Sequence, residues 1–117
     1  MLLCCYSRCL PVTPGHLLLL SKADGIATTV MDTTPGVAAS VFKEPPRLAK
    51  AVQEATVCDG VNFVQNNGTV SGRAVFHAHI HIIPRYDNDG LIKLPVGQTM
   101  IAIEDGVAMQ SKIQDKL

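Results

Sequence analysis

The clearest pattern in the chain is an alternation of period two at Phe76-His77-Ala78-His79-Ile80-His81-Ile82-Ile83-Pro84-Arg85. Successive strand side chains point to opposite faces. The spacing therefore predicts a strand over 75–83, with His77, His79 and His81 on one face and Phe76, Ala78, Ile80 and Ile82 on the other. Pro84 is expected to end it. Apolar runs at Leu2 to Cys9 and His16 to Leu20 predict two further strands. Pro11-Val12-Thr13-Pro14-Gly15 between them has the composition of a hairpin turn. Val61 to Gln65 reads as another strand, after a turn at Asp59-Gly60. Val37, Val41, Leu48, Val52 and Ala55 recur at helical spacing up to about Val57. Thr33 or Thr34 is placed to cap that helix, with Pro35 in its first turn. Pro45-Pro46 predicts a kink or two helices, because proline lacks the N–H and clashes with the preceding turn. Glu104 to Leu117 reads as a terminal helix, and 66–73 as a polar, glycine-containing loop.

Composition narrows the class. A chain of 117 residues suggests one domain, and 47% hydrophobic residues suffice for a single core. The formal net charge is zero, so there is no footprint for nucleic acid or an anionic membrane. Cys4, Cys5, Cys9 and Cys58 form no C-x-x-C pair or disulfide framework and read as free thiols in a reducing compartment. No apolar stretch approaches the roughly 18 residues of a membrane span. The expected setting is intracellular and cytoplasmic.

Three of the four histidines fall within five residues, and on a strand they would stand roughly 6.5 Å apart. Neutral imidazole is a nucleophile toward phosphorus near neutral pH, and a neighbouring ring can hold a proton at the same pH. The loop before the strand offers backbone N–H groups and glycines as a cradle for phosphate oxygens. Asn66 and Asn67 add side-chain donors. A zinc site is the main rival for the histidines. On a straight strand the outer two lie ~13 Å apart at Cα, too far to converge on one ion at bond lengths of about 2 Å. His16 after its turn gains functional value only if a neighbouring strand brings it to the other three.

These residues resemble the histidine-triad (HIT) superfamily. Its signature, His-x-His-x-His followed by two apolar positions, corresponds to His77, His79, His81, Ile82 and Ile83. Pro14-Gly15-His16-Leu17-Leu18-Leu19 resembles the upstream Pro-x-His strand of the family. Asn66-Asn67-Gly68 through Gly72-Arg73-Ala74-Val75 resembles its Asn-x-Gly…Gly-Gln-x-Val loop, with Arg73 in place of Gln.

The resemblance implies an α+β fold: a mainly antiparallel sheet, one principal helix kinked near Pro45-Pro46, and a C-terminal helix. A single domain is expected over 1–117, shortened at its N-terminus, with the triad core at 11–85. The implied activity is hydrolysis of nucleoside 5'-phosphoramidates of the adenosine type. His79 would be the nucleophile and form a nucleotidyl-histidine intermediate. His77 would orient it, partly through its carbonyl. His81 would bind phosphate and help protonate the leaving group, and His16 would complete the proton network. Asn66 would hold the ribose–phosphate, and Gly72, Arg73, Ala74 and Val75 would line the anion cradle. No cofactor or metal is required on this reading, zinc being the disfavoured alternative. The expected partners are an AMP-like purine nucleotide and a second copy in a homodimer. Dinucleoside polyphosphate hydrolysis, as in Fhit-type members, is the rival within the class. A nucleotide-binding interaction protein with weak catalysis is the rival outside it.

Overall fold

The computed structural model describes residues 2–4, 11–21, 27–72, 77–91 and 97–117. Four strands form one antiparallel sheet: β1 (Leu2–Cys4), β2 (Leu17–Ser21), β3 (Gly60–Val64) and β4 (His79–Arg85). Their spatial order is β1-β2-β4-β3. The two expected N-terminal strands do pair antiparallel, with Leu3 opposite Leu20, and residues 5–9 of the first expected strand lie outside the described residues.

Register assigns the faces, because directly opposed residues in an antiparallel pair share a face. Leu19 lies opposite Ile80, Leu17 opposite Ile82, and Phe63 opposite Ile82. Leu19, Ile80 and Ile82 on this face are buried. Two helices, α1 (Pro35–Phe42) and α2 (Pro45–Thr56), pack on the sheet, and Val52 of α2 joins the core. Leu18 lies opposite His81 and Leu20 opposite His79 on the other face.

The break between the helices has the expected cause. Thr34 caps α1, its hydroxyl accepting from the Val37 N–H. The helix closes at Lys43, and Pro45-Pro46 open α2 where a missing N–H costs nothing. At its far end α2 stops on Val57, held at φ 54°, ψ 38° with its N–H on the Gln53 carbonyl. A β-branched residue in this left-handed region is strained. Val57 is 84% exposed, so it gains no packing in return. Val57→Gly is expected to raise stability by about 0.5–1 kcal/mol, read as a higher urea midpoint at unchanged slope.

Two expectations about the histidine strand are corrected. The strand begins at His79, so 77 and 78 fall outside it, with His77 in a bend; the expected residues 75 and 76 lie outside the described residues. The Ala78 N–H bonds the Ala27 carbonyl at 2.9 Å, so the chain leaves the β2 ladder just before His79. Pro84 does not end the strand but pairs with Val61 inside it. Its carbonyl accepts from the Thr13 hydroxyl at 2.9 Å, on the β2 side. The ring nitrogen points the same way, past the last β2 pair, so the ladder to β3 loses no bond.

Beyond β4, Arg85 holds Asp89 through two nitrogens, at 2.8 and 2.7 Å. The guanidinium keeps the Asp89 carboxyl far below its usual range. A third helix, α3 (Ile103–Gln114), buries none of its side chains. Among the described residues no helix is long and apolar enough to cross a membrane.

Candidate active site

The site starts from a turn. The His16 N–H bonds the Thr13 carbonyl at 3.1 Å, with Pro14 and Gly15 at the two central positions. Gly15 has φ +91°, the sign that the second central residue of a type II turn requires. Thr13 is buried and anchors the turn to β4 through Pro84. His16 is thereby placed beside the histidine strand, as expected.

Three rings then form a line. His16 Nε2 lies 2.9 Å from His81 Nδ1, and His81 Nε2 lies 3.1 Å from His79 Nε2. Ring centroids are 5.1 and 4.7 Å apart. His79 Nδ1 meets the His77 carbonyl oxygen at 2.6 Å. A carbonyl can only accept, so Nδ1 of His79 carries the proton and Nε2 holds a lone pair. His77 contributes through its main chain, and its ring stands outside the line. The expectation that His77 lines one strand face with His79 and His81 is corrected, because His77 precedes β4; the third ring in the line is His16.

His16 and His79 are both buried, with 7% of each exposed. Burial lowers the pKa of His16. His81 is pushed down to about 4, first by burial and then by repulsion from His79 and His16. Both rings are therefore neutral at pH 7. The sign of the stability effect follows. Unfolded His81 titrates near 6.5, so between pH 6.5 and 4 the unfolded chain binds a proton that the folded chain refuses. Stability should be full above pH 6.5 and fall as the pH drops toward 4. Urea unfolding across that range should show the slope in the wild type, and His81→Gln should flatten it.

The loop before the strand divides its two asparagines. The Asn67 Oδ1 accepts from the Val30 N–H at 2.8 Å and from Gln65 Nε2 at 3.1 Å, and its amide donates back to Gln65. Asn67 is thus a clamp within the fold rather than a ligand group. The side-chain amide of Asn66 has no hydrogen-bond partner among the described residues and lies over Gly72, which has φ +90°. Asn66 and Gly72 thus stand side by side in the loop before the histidine strand. Arg73, Ala74 and Val75 lie outside the described residues. Behind the rings, between α1 and the sheet, runs a cleft bordered by Val30, Val37, Val41, Ile80 and Gln65. Among the described residues no three His, Cys, Asp or Glu side chains are grouped as ligands for a metal ion.

Residues 6–88 match the HIT domain family. The chain belongs to the HIT domain family. Relatives of this HIT domain include a protein of Arabidopsis thaliana named adenylylsulfatase HINT3, 38% identical over 81 residues, covering 69% of this chain and 40% of the relative. A Dictyostelium discoideum protein named bis(5'-adenosyl)-triphosphatase is 37% identical over 75 residues, covering 64% of this chain and 49% of the relative. The chain thus spans about half the length of these curated relatives or less. The crystal structure of a HIT family protein from Bacillus anthracis superimposes with a TM-score of 0.82 at 32% identity, covering 91% of this chain and 75% of that one. These likenesses bear out the expected α+β fold with its bent principal helix.

Proposed function

We propose that this HIT domain hydrolyses nucleoside 5'-phosphoramidates, of the adenosine type, through a nucleotidyl adduct on His79. The observation that carries the reading is the bond from His79 Nδ1 to the His77 carbonyl. It leaves the Nε2 lone pair as the nucleophile and holds the ring for attack. The Nε2–phosphorus bond forms as the phosphorus–nitrogen bond to the leaving amine breaks. The bonding pair departs on that nitrogen, which takes its proton from water while the His81 Nε2–H hydrogen-bonds it. The ring of the adduct carries positive charge, with its Nδ1–H still on the His77 carbonyl. The hydroxide left by that proton transfer attacks phosphorus as the Nε2–phosphorus bond breaks, which releases the nucleoside monophosphate and returns the pair to Nε2 as its lone pair.

Asn66, whose amide has no partner among the described residues, is proposed to bind the ribose–phosphate, and Gly72 to let the backbone approach the anion. Arg73, Ala74 and Val75 are proposed to continue the cradle. No cofactor is invoked. Both curated relatives are named for adenosine nucleotides, which supports nucleotidyl transfer. The Dictyostelium relative favours a second reading, cleavage of dinucleoside polyphosphates. A homodimer is also proposed, supported by the exposed apolar side chains Ile103, Val107 and Ile113 of α3. Sedimentation at the mass of one chain would remove it.

The test is direct. The protein is mixed with adenosine phosphoramidate or diadenosine triphosphate, quenched and analysed by mass spectrometry. An adenylyl group on the peptide carrying His79 is expected, with the faster substrate naming the leaving group. Binding of adenosine monophosphate with neither adduct nor turnover would leave a nucleotide-binding protein instead.

A further inference from the structure

The line of rings ends on a group that no sequence motif marks. The backbone N–H of Val12 lies 3.1 Å from His16 Nδ1. A main-chain N–H can only donate and does not titrate near neutral pH. His16 Nδ1 must then present a lone pair, and neutral His16 carries its proton on Nε2. That proton faces His81 Nδ1 at 2.9 Å, so His81 Nδ1 accepts and His81 carries its proton on Nε2. The His81 Nε2–H in turn faces His79 Nε2 at 3.1 Å, whose lone pair receives it. His79 Nδ1–H closes the line on the His77 carbonyl at 2.6 Å.

Four hydrogen bonds thus run in one direction between two main-chain groups of fixed polarity. One arrangement of protons satisfies all four. A fourth proton on any ring would set one N–H against another.

We propose that the Val12 backbone amide is a positioning group that locks His16, and through it His81, in the Nε2–H tautomer. The two ends have separate tasks. The His77 carbonyl fixes His79 and exposes the nucleophile. Among the described residues, the Val12 amide alone fixes the other two rings. Without it, His16 can carry its proton on Nδ1 and accept at Nε2 from His81 Nδ1–H. His81 Nε2 then becomes a lone pair, facing the lone pair of His79 and offering the leaving atom no donor. The assignment rests on the nucleotidyl-transfer reading for its effect on rate. Its effect on tautomers is independent of that reading.

The experiment is nitrogen-15 NMR of the ring nitrogens above pH 7. In the wild type, His16 and His81 should be protonated on Nε2 and His79 on Nδ1. A scalar coupling across the hydrogen bond should join the Val12 amide nitrogen to His16 Nδ1. His81 protonated on Nδ1, or no such coupling, would overturn the proposal without any variant being made.

Val12→Pro removes the N–H. Where it folds, His16 and His81 should show mixed tautomers. Val12→Ala, which keeps the amide, should show the wild-type pattern. Turnover of adenosine phosphoramidate by Val12→Pro should fall roughly ten- to a hundredfold in kcat with KM little changed, the scale expected when the partner that orients an active histidine is lost. Wild-type tautomers in a folded Val12→Pro protein would sink the idea. A wild-type protein with the stated tautomers and no turnover would instead remove the function proposed above and leave the lock standing.

Discussion

Replacing His79 by alanine is expected to lower nucleotide turnover by roughly 10⁴- to 10⁶-fold while the protein still folds. Losing the nucleophile closes the covalent path and leaves only binding and electrostatic terms, and losses of this order are typical for such groups. The geometry sharpens the prediction by contrast with His77. That residue acts through its carbonyl oxygen, 2.6 Å from His79 Nδ1, which alanine at 77 would keep. His77→Ala should therefore cost at least about a hundredfold less than His79→Ala. Steady-state rates on adenosine phosphoramidate, with circular dichroism as a check on folding, decide the matter. Near-normal turnover by His79→Ala would end the nucleophile assignment. Equal losses in the two variants would mean that the His77 ring, not its carbonyl, does the orienting.

Gly15→Ala is expected to be among the most damaging single-methyl changes in the chain. Two costs add. Alanine at φ +91° meets its own backbone, at about 1–2 kcal/mol. Its Cβ would also collide with the Thr56 side chain and come within 3.1 Å of Pro84 Cγ. Overpacking of this kind costs about 1–3 kcal/mol. The sum, roughly 2–5 kcal/mol, is a large part of the 5–15 kcal/mol that holds a typical domain together. The same collision would push the turn away from α2 and carry His16 with it, so the His16–His81 bond should weaken as well. Urea unfolding measures the first effect and ring-nitrogen NMR the second. Thr56→Ser removes the methyl that Cβ strikes. In the double variant the steric part of the loss should return while the backbone part remains, a coupling that a double-mutant cycle reads directly. Additive losses would show that the close approach at Thr56 does not contribute.

Much of this was legible along the chain. Alternation named the strand that carries His79 and His81, because period two is a local property of extended backbone. Thr34, Pro35 and the pair Pro45-Pro46 named a capped helix and its interruption, because capping and the missing proline N–H act within one turn. Pro14-Gly15 named the turn before His16 for the same reason. The errors at 77–78 and at Pro84 arose where a partner from elsewhere decides. Ala27 draws Ala78 off the ladder, and Thr13 takes the carbonyl of a proline that local rules would place at a strand end. The split between Asn66 and Asn67 has no local signal either, since it depends on where the Val30 N–H comes to rest.

The sequence by itself determined which segments extend or coil and which imidazole stands midway in the alternation, since both follow from preferences within a few residues. Tertiary structure alone decided which rings touch and which way their protons face. His16 and His81 are 65 positions apart and meet because β2 and β4 pair in one register, with Leu18 opposite His81. Val12 enters through a main-chain N–H that every residue except proline possesses, so no side-chain pattern could have announced it.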